Sequence, residues 1–157
     1  MNYIKILLDS TYILPSFGIE VEGLGEEDII KLKIAGIEGK VKFYCLSVTW
    51  IEIIGKVHRM VEKYKVDVKD IIDSAVKSLL ESGFYEWITP SSQAVLTAFK
   101  LRMLGHRDNI DNLLYASSLE NKMIFLTMDK NLVEFLKEHG YSIENVMDHQ
   151  KLFKKLY

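Results

Sequence analysis

Residues Tyr3 to Leu8 read YIKILL and run directly into Asp9-Ser10-Thr11. A nearly unbroken apolar run closed by turn-forming residues predicts a strand buried on both faces, because a strand with one wet face would alternate. The pattern returns at Val41 to Leu46, at Phe84 to Ile88 and at Met123 to Thr127 (MIFLT). Between these runs the period changes to that of helices. Glu26 to Gly36 carries Ile29, Ile30, Leu32 and Ile34, and two paired helices cover Thr49 to Tyr64 and Val68 to Leu80. Ser91 and Ser92 can cap a helix ending near Leu104 before Gly105. Ile110 to Glu120 follows, then Asn131 to Glu138 ahead of Gly140. Strand and helix alternate almost throughout. This implies βαβ units with right-handed crossovers and an α/β fold, a mainly parallel sheet with helices on both faces in three layers.

A chain of 157 residues with 48% hydrophobic and 27% charged residues is expected to form one domain, 1–157, around one core. No segment has the apolar length of a membrane span, so a cytoplasmic protein with no membrane association is expected. The single cysteine, Cys45, excludes an internal disulfide and a cysteine-based zinc site, and its expected role is core filling. A net charge of -2 gives no overall attraction for polyanions, so nucleic-acid binding would rest on a local basic patch.

The acidic residues supply the functional signal. In open parallel sheets the ligand site lies beyond the carboxyl ends of the strands. Asp9 directly follows the first strand, Glu52 lies in the first turn after the second, Asp108 and Asp111 open a helix, and Asp129 follows MIFLT by two residues. Each acid has a plain structural reading. Thr49-x-x-Glu52 fits a capping box, and Asp108, Asp111 and Asp129 suit N-cap or first-turn positions. Capping, however, does not require acids rather than Ser, Asn or Gly at every strand exit. Clustered carboxylates repel, and Mg²⁺ or Mn²⁺, which prefer hard oxygen ligands, would offset that repulsion and hold a phosphate. The chemistry so implied is phosphodiester hydrolysis.

ILLDSTYIL, SVTWIEII and RDNIDNLLYASSLE followed by MIFLTMDKNL resemble, across nearly the whole chain, the acid-bearing segments of PIN domain nucleases. These are small RNA-cutting domains that include toxins of prokaryotic toxin/antitoxin pairs. The resemblance puts Asp9, Glu52, Asp111 and Asp129 on the catalytic, metal-binding acids, Asp108 on an additional metal acid of some members, and Thr127 on a nearby polar residue. Asp111 is preferred to Asp108 because it immediately precedes the apolar stretch NLLYASSLE. The resemblance further implies about five parallel strands, metal dependence, cleavage of single-stranded RNA, a homodimer and an antitoxin protein as partner. The segment Pro15 to Lys40 is longer than in the most compact toxins and bears on substrate access or dimer contacts.

Lys5, Lys56, His58, Arg59, Arg102, His106, Arg107 and Lys130 are candidates for phosphate contact, most of them readable as solvated surface charge. Arg107 and Lys130 stand out because they adjoin proposed ligands. Trp50 and Tyr115 read as core, while Tyr12 and Phe17 are open between core and base stacking. The four histidines lack zinc spacing, and neither a G-x-S-x-G elbow nor a glycine-rich phosphate loop is present. A phosphatase of the haloacid dehalogenase type would need an acid at Thr11, and a receiver-like domain would need one beside Asp9. The alternative from another class is a non-catalytic PIN-like module that binds RNA or protein, and the apolar excess of Thr49 to Leu80 offers either a dimer face or a seat for a partner peptide.

Overall fold

The computed structural model describes residues 2–65 and 67–157. Five strands, β1 (Ile4–Leu8), β2 (Val41–Leu46), β3 (Tyr85–Ile88), β4 (Ile124–Leu126) and β5 (Val146–Met147), form one sheet in the order β3-β2-β1-β4-β5, and every pairing is parallel. Seven helices among the described residues enclose it: α1 (Glu26–Ile37), α2 (Thr49–Tyr64), α3 (Lys69–Glu81), α4 (Ser92–Met103), α5 (Asn109–Glu120), α6 (Lys130–Glu138) and α7 (His149–Leu156). Short 3-10 turns at Ser10–Tyr12 and Leu14–Phe17 follow β1.

The pleat divides the core in two. Ile6 and Leu8 of β1, Phe43 and Cys45 of β2, and Leu126 of β4 pack on one face against α1, α2, α3 and α7. Their neighbours Leu7, Tyr44, Leu46 and Phe125 point the other way, against α4, α5 and α6. The nearly continuous apolar runs of the central strands are therefore a consequence of helices on both faces, which makes the fold a three-layer α/β/α sandwich. Each fully buried aliphatic side chain contributes about 1.5–3 kcal/mol from apolar area alone. Cys45 is part of this core as expected, and the burial pushes its thiol well above the ordinary range. Gly36 permits close packing of α1, since a Cβ there would come within 2.6 Å of the Phe84 ring. No helix among the described residues is long and apolar enough to cross a membrane.

The chain builds β1, β2 and β3 toward one edge, then returns past β1 to lay down β4 and β5 on the other side. The direction of winding thus reverses between β1 and β4, whose carboxyl ends frame a topological switch point. Leu8 lies opposite Leu126, so Asp9 and Thr127 leave the sheet side by side, and the Asp9 amide donates to the Leu126 carbonyl at 3.1 Å.

One local expectation is corrected. Val48, with φ -65 and ψ -19, already has helical geometry and is itself the N-cap of α2, so the Thr49-x-x-Glu52 capping box does not form. The buried Thr49 hydroxyl has no hydrogen-bond partner. Displacement of the helix start by one residue frees the Glu52 carboxylate for contacts outside its own helix.

Candidate functional site

Four segments bring acids to the switch point. The turn after β1 carries Asp9, 7% exposed, whose Oδ1 accepts from the Ser10 amide at 2.7 Å. Its Oδ2 accepts from the Thr127 hydroxyl at 2.9 Å. Thr127, itself buried after β4, also accepts from the Asp129 amide at 3.1 Å, so one hydroxyl ties two of the acid-bearing segments together. Burial pushes the Asp9 carboxyl up and Glu52 adds to the effect, whereas the Thr127 and Ser10 donors and the Lys56 charge oppose it; the value settles at about 6.

The start of α5 carries Asp108 and Asp111. Asp108 is the N-cap, its Oδ1 accepting from the Asp111 amide at 3.0 Å. This realises the plain structural reading for one oxygen and leaves the other for solvent or ligand. Asp111 is different. It is 6% exposed, and among the described residues no donor reaches its carboxylate. Burial pushes it up to about 9, with Asp9, Asp108, Asp129 and Glu52 all adding in the same direction. Asp129 caps α6, its Oδ1 accepting from the Asn131 and Leu132 amides, and again one oxygen is spare.

Glu52 reaches the site from the first turn of α2. Its Oε1 accepts from the Ser10 hydroxyl at 2.5 Å and from Lys56 Nζ at 2.6 Å. The structure thus brings Asp9, Glu52, Asp108 and Asp129 within electrostatic reach of Asp111, with Thr127 beside Asp9. Arg107 and Lys130 are exposed next to Asp108 and Asp129, on the rim rather than inside the cluster.

The donor chemistry suits a hard divalent cation, because Asp111 is a buried carboxylate without a donor, surrounded by like charges. Among the described residues no three acids close on a common point as a preformed cage.

The sequence reading assigns no role to Ser10, which is fully buried and bridges the β1 exit to α2. Its position directly after Asp9 is a signal, but its partner is 42 residues away. Tyr12 and Phe17 are resolved in favour of core, Tyr12 with its hydroxyl 2.9 Å from His149 Nδ1, so neither offers a stacking platform. Tyr115 is fully buried. Trp50 packs against the core and stacks on Trp87 with ring centroids 5.0 Å apart.

No family model matches the chain, and no curated protein matches it. Among solved structures the chain is similar to a toxin-antitoxin complex from Klebsiella pneumoniae, with a TM-score of 0.58, 14% identity, and coverage of 92% of this chain and 97% of that one. At this identity the likeness concerns the fold.

Proposed function

We propose that the chain is a PIN-type endoribonuclease that uses Mg²⁺ or Mn²⁺ to hydrolyse phosphodiester bonds in single-stranded RNA, acting as the toxin of a toxin/antitoxin pair. The observation that carries this reading is Asp111, buried, without a donor among the described residues and within electrostatic reach of four other carboxylates at the switch point. A module that only binds RNA or protein has no physical need for such a group, whose ionisation is opposed by burial and by every neighbour. The fold likeness to a toxin-antitoxin complex supports the toxin role and an antitoxin protein as partner.

A divalent cation bound here would supply hydroxide near neutral pH and stabilise charge on the departing oxygen. Asp9 and Asp111 would hold it, with the spare oxygens of Asp129 and Asp108 and the Glu52 carboxylate binding directly or through water. Thr127 orients Asp9 by donating to Oδ2, the oxygen that Ser10 leaves free. Arg107 and Lys130, exposed on the rim, would contact backbone phosphates and set the strand's position without reading its sequence. A homodimer would cover the exposed Leu96, Phe99 and Met103 of α4.

The test is cleavage of a labelled, unstructured RNA with Mn²⁺ or Mg²⁺, alongside chelator and the Asp111→Asn variant. Metal-dependent cutting, lowered by on the order of 10³-fold in the variant, is expected; at 1.36 kcal/mol per tenfold that is about 4 kcal/mol of transition-state stabilisation. Cutting that survives chelator, or that the variant retains, would reject the reading. No cutting at all would favour the binding module.

A further inference from the structure

The carboxylate cluster is lopsided in charge. On the α2 side a cation is already present: Lys56 Nζ stands 2.6 Å from Glu52 Oε1 and 3.0 Å from Ser10 Oγ. An exposed Glu-Lys pair at i, i+4 is ordinarily a surface feature of small value. This pair differs because its side chains are only 18% and 34% exposed and because it is fastened to a fully buried serine adjoining Asp9. On the α5 side, among the described residues, no donor or cation reaches the buried Asp111 carboxylate. One half of the site is neutralised from within the chain and the other is not.

We infer that Lys56 is the site's second cation: it stands in for one ion of a two-metal phosphodiesterase, leaves a single divalent ion to the Asp111 side, and binds a phosphate oxygen of the RNA. This rests on the nuclease reading of the same acids. An ammonium has three N–H donors, and Glu52 and Ser10 take two of them. The third has no partner among the described residues, and the side chain is open enough to meet a phosphate, for which a compact, strongly hydrated point charge is well suited. In two-metal sites the ions flank the scissile phosphate and stabilise both the attacking and the leaving oxygen. A fixed ammonium can take over the charge stabilisation of one ion but cannot activate water, which leaves that task to the Asp111 side.

The test is isothermal titration of Mn²⁺ into the full chain, its Lys56→Met variant and its Lys56→Arg variant, with steady-state RNA cleavage measured on the same three proteins. The expected result is one Mn²⁺ per wild-type chain and two per Lys56→Met chain, whose KM for RNA rises about tenfold through loss of a charged hydrogen bond. Lys56→Arg should stay at one ion with a KM near wild type. Two ions on the wild-type chain would overturn the inference, and so would one ion on Lys56→Met with KM unchanged; in either case metal-dependent cutting would leave the nuclease reading intact. Failure of all three proteins to bind Mn²⁺ would reject the nuclease reading and the role of Lys56 together.

Discussion

Asp9 at the exit of β1 and Asp111 at the start of α5 are buried to nearly the same degree, 7% and 6% exposed, yet the first carboxyl settles at about 6 and the second at about 9. Area removed from water therefore does not account for the gap. The β1 exit gives Asp9 a backbone amide, a hydroxyl and a nearby ammonium; the α5 start gives Asp111 four like charges and no donor. A buried carboxylate is tolerated as an anion where donors replace its hydration, and it holds its proton where they do not. The two acids thus divide the site into a part where the protein's own donors support the anion and a part where they do not.

The largest expected effect that tests this contrast is in stability without metal. Both carboxyls lie above the ordinary aspartate value of about 3.9, so between that value and their folded values the folded chain binds more protons than the unfolded chain. Stability in chelator should therefore fall as pH rises, through about 6 on account of Asp9 and on toward 9 on account of Asp111. Asp111→Asn should remove the upper part of that fall and stabilise the metal-free chain at pH 8 by on the order of 2 kcal/mol. Asp9→Asn should gain much less, because an amide offers one acceptor oxygen where Ser10 and Thr127 now use two. Urea unfolding in chelator at pH 5, 7 and 8.5 measures all three proteins. Equal gains for the two variants would break the contrast and make burial the whole cause.

A smaller effect should come from the donor itself. Thr127→Val keeps shape but removes the hydroxyl that donates to Asp9 and accepts from Asp129. The loss should be about 1–3 kcal/mol. It should be greater at pH 8 than at pH 5, since the donor favours ionised Asp9, whose carboxyl titrates at about 6. A cost independent of pH would mean that Thr127 serves as a packing and capping residue and does not organise the anion.

The sequence made some of this legible and hid the rest for identifiable reasons. β1 and β2 are readable because burial on both faces leaves runs broken only by Lys5 and Lys42, and the acids are readable because strand exits in a parallel sheet converge. β5, Val146–Met147, is too short for any period to appear, and α7, HQKLFKKL, has few apolar residues over eight positions. Neither was part of the sequence reading, although both belong to the sheet and its cover. Ser10 and Lys56 are also missed as a pair, since their contact spans 46 positions and depends on how α2 lies against the turn after β1. The capping box at Thr49 fails because a motif cannot distinguish a helix that starts at Val48 from one that starts a residue later.

The smallest expected effect concerns Asp108, for which capping and metal binding make different demands. Its Oδ1 already satisfies the Asp111 amide at the N-cap of α5, and serine is about as good a cap as aspartate. Asp108→Ser should therefore change stability by no more than about 0.5 kcal/mol. It also removes one of the charges that raise Asp111, so the Asp111 carboxyl should titrate lower in the variant. If the exposed Asp108 is a cap that only lends charge to the site, Mn²⁺ affinity measured by titration calorimetry should fall less than about threefold. A fall of tenfold or more would be the signature of a lost direct ligand or a ligand-orienting group. That result would move the metal toward the mouth of the cluster, where Asp108 and Asp129 keep spare oxygens, and would leave Asp111 as the buried charge that draws it in.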